Sequence, residues 1–183
     1  MVVVKEIFSA IKADLETFFQ NDPSVNSKLE IVLFSTSFKG LMLYRVYHEL
    51  YKLNYKFLSM FLYYIAKRLY TMDIHPGAVI EKGIMIDHGF GVVIGSTAFV
   101  GSGTIIYHGV TLGARRIKRG KRHPTIGRNV FIGNHASILG NIKIGDFAKV
   151  GAHSVVLKNV PGRSTAVGNP ARIIKRRECD DAI

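Results

Sequence analysis

Residues 126–161 read IGRNVF-IGNHAS-ILGNIK-IGDFAK-VGAHSV-VLKNVP, and each block of six residues begins with an aliphatic side chain. The six-residue spacing extends back to Ile74, and a small or β-branched residue usually stands four positions after each aliphatic one. A helix repeats near 3.6 residues and a strand repeats at 2, so neither explains this spacing. A fixed period of six predicts a parallel β-helix, in which three repeats form one triangular coil.

The chain before this stretch has a helical pattern instead. Apolar residues fall on one helical face and predict an amphipathic helix over residues 3–20: Val3, Ile7, Ile11, Leu15 and Phe18. Helical spacing continues over residues 24–70, with breaks expected near Gly40 and Asn54. We therefore predict an α+β protein with a helical domain (1–70), a β-helix domain (71–172) and a C-terminal tail (173–183).

The net charge, the cysteine content and the length of the apolar runs limit the kinds of function that the chain can have. The 183 residues carry a net charge of +12, which favours an anionic partner such as nucleic acid or a phosphorylated ligand. A single cysteine, Cys179, excludes an internal disulfide framework and is typical of a reducing compartment. The apolar run at residues 57–66 is shorter than the roughly 20 residues that span a bilayer. We expect a cytoplasmic protein that does not enter a membrane.

Two interruptions of the six-residue period contain histidines, which are the commonest general bases near neutral pH. Ile86 and Ile94 are eight residues apart instead of six, and His88 lies between them. Residues 114–123 carry no repeat and form a strongly basic segment that ends at His123. This segment predicts a loop outside the coil. A merely solvated loop and a nucleic-acid contact remain alternatives, and we favour binding of a phosphorylated ligand such as coenzyme A.

Asp73 precedes His88 by 15 residues, and one coil contains about 18 residues in a three-repeat solenoid. The two side chains are therefore expected on adjacent levels of one edge. A carboxylate that accepts a hydrogen bond from one imidazole nitrogen makes the other nitrogen a better base. No two of the seven histidines are five residues apart, the spacing found in the zinc hydrases that share this coil, so we predict no metal site.

Several strings resemble the serine acetyltransferases of the hexapeptide-repeat acyltransferase family, over roughly residues 20–175. The most specific are Asp87-His88-Gly89 and, one loop later, Arg122-His123-Pro124; Gly168-Asn169-Pro170-Ala171-Arg172 also matches. The resemblance implies that the parallel β-helix is left-handed. It also implies transfer of the acetyl group from acetyl-CoA to L-serine, which gives O-acetyl-L-serine and CoA in the first step of cysteine biosynthesis.

The resemblance implies a role for each matching residue. His88 would be the general base and Asp73 would orient it. Asp22 and Asp87 would hold the serine ammonium group. Arg122 and His123 would hold its carboxylate, and His123 would also help to stabilise the oxyanion.

The same resemblance implies how the co-substrate and the subunits are arranged. Acetyl-CoA would lie along a coil edge, beside Gly113, Ala114, Asn134 and Ala152. Homotrimers, or dimers of trimers, would have active sites between subunits. The C-terminal Ile183 would dock into O-acetylserine sulfhydrylase.

Two other functions fit part of the pattern. A related O-acetyltransferase acting on a sugar or capsule precursor would share the coil and would have no use for Arg122 or Asp22. A nucleic-acid-binding solenoid would use the positive charge, but aromatic residues are not interleaved with the basic ones.

Overall fold

The computed structural model describes residues 2–175, so the predictions for Cys179 and Ile183 lie outside the described residues. Four helices come first: α1 (Val2–Asn21), α2 (Lys28–Phe34), α3 (Thr36–Lys52) and α4 (Lys56–Tyr70). Within residues 2–175, no helix is both long enough and apolar enough to cross a membrane.

The helix breaks show where sequence reasoning succeeded and where it was wrong. Asn54, with φ of +67°, separates α3 from α4 as expected. Gly40 does not end a helix; it lies inside α3. A Cβ there would meet Met72 Cε at 2.0 Å, so the close packing of Met72 explains the glycine. The break falls instead at Ser35, whose hydroxyl accepts a hydrogen bond from the Phe38 N–H at 3.2 Å and caps α3.

The rest of the described chain forms a parallel β-solenoid of about five turns with three faces, which confirms the predicted fold class. The first sheet contains β1 (Asp73–Ile74), β4 (Val93–Ile94), β7 (Thr111–Gly113), β10 (Ser137–Leu139) and β13 (Val155–Val156). The second contains β2 (Val79–Ile80), β5 (Phe99–Val100), β8 (Thr125–Ile126) and β11 (Lys143–Ile144). The third contains β3 (Met85–Asp87), β6 (Ile105–Tyr107), β9 (Phe131–Ile132), β12 (Lys149–Val150), β14 (Ser164–Gly168) and β15 (Ala171–Lys175). The left-handed sense of the coil stays a prediction.

The six-residue period produces the core directly. In the first sheet, Ile94 pairs in register with Ile74 above it and with Leu112 below it, and all three side chains are buried. The same stacking continues on each face, so one aliphatic column fills each side of the triangular interior. The solenoid ends in a hairpin, because β15 turns back antiparallel to β14 and extends to Lys175, beyond the expected start of the tail at residue 173.

The turns between sheets form the edges of the prism. The turns from the third sheet to the first cover residues 88–92, 108–110, 133–136 and 151–154, and we call them the histidine edge. The turns from the first sheet to the second include residues 75–78, 95–98 and the long connection 114–124, and we call them the loop edge. Any contact between groups on these two edges must cross the width of one sheet.

Helix α3 packs on the first coil through buried polar groups. The Tyr44 and Tyr47 hydroxyls donate to the backbone carbonyls of Ala78 and Ile74 at 2.8 and 2.7 Å. Arg45 pairs with Asp14 of α1 at 2.9 Å and also donates to the Glu81 carbonyl at 2.8 Å. These bonds fix the helical layer over one end of the solenoid.

Candidate active site

His88 occupies the turn made by the first interruption of the repeat. The two extra residues between Ile86 and Ile94 widen this turn, and His88 adopts φ of +59° before Gly89. The turn directs the imidazole outward, with 69% of the His88 side chain exposed. Its Nε2 lies 3.7 Å from Asp87 Oδ2. An exposed imidazole beside a carboxylate can accept a proton and be stabilised as the cation.

A cavity of about 650 Å³ lies between the helical layer and this turn. Asp22, Asp87 and His88 all line it, as the predicted roles require. The end of α1 positions Asp22, whose Oδ1 accepts hydrogen bonds from the Ser24 N–H at 2.9 Å and from the Ser24 hydroxyl at 2.5 Å. The cavity therefore places two carboxylates beside a potential base, which suits a ligand with an ammonium group.

Glu30 also lines this cavity and was missed by sequence reasoning. It lies in the first turn of α2, where its Oε2 accepts a hydrogen bond from the Asn26 N–H at 3.0 Å. From the sequence alone, a glutamate in the first turn of a helix predicts only that its side chain helps to cap the helix. Its proximity to the cavity depends on how α2 packs.

Asp73 requires a correction. It opens β1 beside the histidine edge, but its carboxylate accepts hydrogen bonds from Tyr63 and Lys67 of α4. Burial disfavours the charged carboxylate, yet these two donors outweigh it and hold the pKa of Asp73 below its usual value. Within residues 2–175, Asp73 makes no hydrogen bond or ion pair with His88, so the expected direct contact is absent from this arrangement.

His123 lies on the loop edge and is 7% exposed. Its Nδ1 accepts a hydrogen bond from the Thr97 N–H at 3.2 Å and lies 2.8 Å from the Thr97 hydroxyl. A backbone N–H can only donate, so Nδ1 is an acceptor and the ring proton must be on Nε2. Burial, together with the positive charges of Arg122 and Lys121, lowers the pKa of His123. The site thus holds a neutral imidazole that can donate through Nε2.

The backbone near His123 is shaped to hold the ring. A Cβ on Gly95 would lie 2.1 Å from the His123 ring, so glycine is needed for this close approach. The Thr97 hydroxyl accepts hydrogen bonds from the N–H groups of Arg122 and His123 at 3.0 and 3.1 Å. Thr97 therefore anchors the end of the basic loop, a role that nothing in the repeat pattern revealed.

Arg122 is held with its guanidinium at the surface of the loop edge. One terminal nitrogen donates to Ser96 Oγ at 3.1 Å and the other to the Lys118 carbonyl at 3.4 Å. A guanidinium has five N–H donors, so donors remain for a planar anion such as a carboxylate.

The predicted residues therefore fall into two groups on different edges of one chain. Asp22, Asp87 and His88 line the cavity at the histidine edge, whereas Arg122 and His123 lie on the loop edge. The four residues expected beside acetyl-CoA divide in the same way: Asn134 and Ala152 on the histidine edge, Gly113 and Ala114 at the start of the loop. Within residues 2–175, no group of three or more His, Cys, Asp or Glu side chains is arranged to hold a metal ion.

The chain is similar in sequence to a family of known proteins. A family model described as bacterial transferase hexapeptide (six repeats) matches residues 123–158. The serine acetyltransferase of Synechococcus elongatus is 45% identical over 170 residues, which cover 93% of this chain and 70% of the relative. The serine acetyltransferase of Helicobacter pylori is 44% identical over 162 residues, which cover 88% of this chain and 95% of the relative.

The chain also matches solved structures of the same kind of protein. The chain matches a Neisseria gonorrhoeae serine acetyltransferase in complex with serine at a TM-score of 0.90 and 40% identity, covering 93% of this chain and 69% of that one. It also matches a serine acetyltransferase in complex with CoA at a TM-score of 0.88 and 39% identity, covering 93% of this chain and 70% of that one.

Proposed function

Because this chain belongs to the serine acetyltransferases of the hexapeptide-repeat transferase family, it is an acetyl-CoA-dependent serine O-acetyltransferase, and we propose that His88 is its general base. The observation that supports this role most directly is the cavity that joins His88 to Asp22 and Asp87. Serine carries the hydroxyl that must lose a proton and the ammonium group that two carboxylates can hold. The serine oxygen attacks the thioester carbonyl carbon of acetyl-CoA, the carbon–sulfur bond breaks, and CoA leaves as the thiol with the proton that the base took from serine.

The proton is taken by the exposed imidazole of His88. Asp87 Oδ2, 3.7 Å from Nε2, favours the imidazolium that forms when the serine hydroxyl is deprotonated. Asp73 remains our candidate for orienting the ring from the coil above. That role requires its carboxylate to exchange the Lys67 ammonium for the imidazole, since Lys67 and Tyr63 already bond to it.

The serine carboxylate needs a cationic partner, and Arg122 with His123 supplies a suitable pair. The Nε2–H of His123 is also a donor that suits a developing oxyanion. Because this pair lies on the loop edge and His88 on the histidine edge, one chain holds the two groups apart. A complete site forms when the histidine edge of one copy meets the loop edge of another.

A cyclic homotrimer meets this requirement with three equivalent interfaces. The contact is heterologous, since one edge meets a different edge, and such contacts close into a ring when the rotation allows it. The triangular section of the solenoid suits a threefold ring. Gly113 and Ala114 of one copy would then face Asn134 and Ala152 of the next, along the path of acetyl-CoA.

Three further assignments stay proposals. Exposed aromatic side chains on α4, Phe57, Phe61 and Tyr64, form a surface suited to pairing two trimers. Ile183 is proposed to dock into O-acetylserine sulfhydrylase, and equal recovery of that partner with and without Ile183 would exclude the contact. A cytoplasmic location is proposed from the use of a single cysteine.

The experiment for the function is an acceptor panel with acetyl-CoA, in which release of the CoA thiol is followed for L-serine and for simple sugars. We expect turnover with L-serine and none with the sugars. Turnover with a sugar alone would point to the related O-acetyltransferases. Salt-dependent retention on DNA without thiol release would favour the nucleic-acid alternative.

A further inference from the structure

Four histidines stand one above another along the histidine edge, one in each successive coil: His88, His108, His135 and His153. The ring centroids are separated by 6.0, 5.1 and 5.0 Å from top to bottom. His88 at the top is the proposed base. The proposed function gives no role to the three rings below it.

The lower two rings are exposed and held in defined positions. His135 and His153 adopt φ of +55° and +56°, a left-handed conformation that costs free energy for residues other than glycine and is tolerated best by Asn, Asp and His. The His135 ring lies against the backbone of the turn above, since a Cβ on Gly109 would be 2.3 Å from its Nδ1. The two rings are nearly parallel, at 17°.

The elements packed against this pair are the turn that carries His108 above and strand β14 below. Val167 and Gly168 of β14 carry no charge, and Arg172 of β15 pairs in register with Val167. Within residues 2–175, no carboxylate forms an ion pair with His108, His135 or His153. In the proposed trimer this edge faces the basic loop edge of the next copy, so an anion between the two edges would have cationic groups on one side and imidazole rings on the other.

The helical layer covers one side of His88. Above His88, the cavity is lined by helical residues that include Phe18, Ile31 and Phe34. We place a substrate that presents a thioester at His88 so that it extends the other way, past His108 toward His135 and His153. Neighbouring strands are about 4.8 Å apart, so His153 lies roughly 14 Å below His88.

We propose that His135 and His153 form a recognition site for the phosphate-bearing part of acetyl-CoA, with His108 beside the path of its uncharged arm. This inference rests on the proposed function, because it takes His88 as the point where the thioester lies. Imidazole N–H groups donate hydrogen bonds to phosphate oxygens, and the negative charge of the acceptor makes these bonds charge-assisted.

The test is calorimetric titration of the assembled protein with CoA. The double variant His135→Asn/His153→Asn keeps residues that tolerate the left-handed turn and removes the imidazole rings. We expect it to bind CoA roughly tenfold more weakly than the wild type, the size of one lost charge-assisted contact. In steady-state kinetics, the weaker binding should appear as a higher KM for acetyl-CoA.

A second double variant, His135→Lys/His153→Lys, keeps N–H donors at both positions and should bind CoA at least as tightly as the wild type. Phe147→Asn is the matched control, because Phe147 occupies the same left-handed turn position on another edge, with φ of +59°. It should leave CoA affinity unchanged. Wild-type affinity in the Asn double variant, or lost affinity in the Lys double variant, would overturn the inference.

Different results would contradict the proposed function and the recognition site. A wild-type protein that releases no thiol with L-serine would defeat the proposed function. An active protein whose CoA affinity ignores both histidine substitutions would defeat only the recognition site.

Discussion

Thr97 donates its backbone N–H to Nδ1 of His123 at 3.2 Å, and its hydroxyl lies 2.8 Å from the same nitrogen. The Thr97 hydroxyl also accepts from the N–H groups of both Arg122 and His123. One threonine therefore fixes the tautomer of an imidazole and the backbone of the loop that carries it. This arrangement makes the loop edge rigid at the point where an anion would bind.

Removing the Thr97 hydroxyl should loosen this point. Thr97→Val leaves two N–H groups without an acceptor, which costs about 1–3 kcal/mol for each buried group left unpaired. We expect the KM for serine to rise about tenfold or more, because Arg122 and His123 lose their fixed position. Thr97→Ser keeps the hydroxyl and is the control. Equal kinetics for the valine and serine variants would show that this bond does not position the pair.

His88→Ala tests the general base. We expect kcat to fall roughly 10²- to 10⁴-fold, the usual contribution of a positioned base. Circular dichroism and oligomeric mass should be unchanged, since the side chain is largely exposed. A variant with near wild-type kcat would rule out His88 as the base.

Mixing two inactive variants tests whether sites lie between chains. His88→Ala and Arg122→Ala chains are co-assembled in equal amounts after mild dissociation. If each site takes His88 from one copy and Arg122 from the next, random mixing leaves about a quarter of the sites intact. Activity should recover to about that fraction of wild type. No recovery in assemblies shown by mass to be mixed would place both residues in a site within one chain.

Asp14→Asn tests the bond between the helical layer and the solenoid. Asp14 Oδ1 accepts from the Gly83 and Ile84 N–H groups at 2.8 and 3.0 Å, and the carboxylate pairs with buried Arg45. Breaking a buried ion pair from one side typically costs about 3–5 kcal/mol. We expect a loss of that order in the free energy of unfolding measured in urea.

Glu16→Gln is the matched control for Asp14→Asn. It removes a carboxylate on the same helix that pairs with Lys28 at the surface, where both side chains are more than 40% exposed. This change should leave the free energy of unfolding nearly unaltered. Similar losses for the two variants would mean that the buried Asp14–Arg45 pair contributes no more to the free energy of unfolding than the surface pair does.

The stability of the protein should fall at acid pH. Burial lowers the pKa values of His48, His75 and His123 below that of free histidine. The unfolded chain then binds more protons than the folded one once the pH drops below about 6.5, so the free energy of unfolding decreases from there downward. Urea melts at pH 7.5 and pH 5.5 measure the difference.

Substitution of one buried ring should reduce this pH dependence. His123→Gln removes one of the three contributions and should make the difference between the two pH values smaller. His153→Asn, on an open edge, is the control. A pH dependence that is the same in wild type and in His123→Gln would contradict the assigned cause.

The sequence by itself determined the solenoid, because a period of six fixes which side chains face inward in every coil. It also indicated His88 and His123 as candidates, since an interruption in a strict repeat forces a turn or loop out of the coil. The contact between Asp73 and His88 failed as a prediction. Sequence spacing predicts the coil in which a residue lies. It does not predict how α4 packs on the solenoid, and α4 carries Tyr63 and Lys67, which bind the Asp73 carboxylate.

Only the tertiary structure decided which functional residues meet. It joined Asp22 and Glu30 to His88 through the packing of α1 and α2, placed Thr97 beside His123, and aligned histidines from four coils. These contacts link residues far apart in the chain, and each depends on the turn geometry and helix packing of several elements at once. A local pattern can specify a repeat, but contacts between an interruption and a distant element are fixed only when the whole chain has packed.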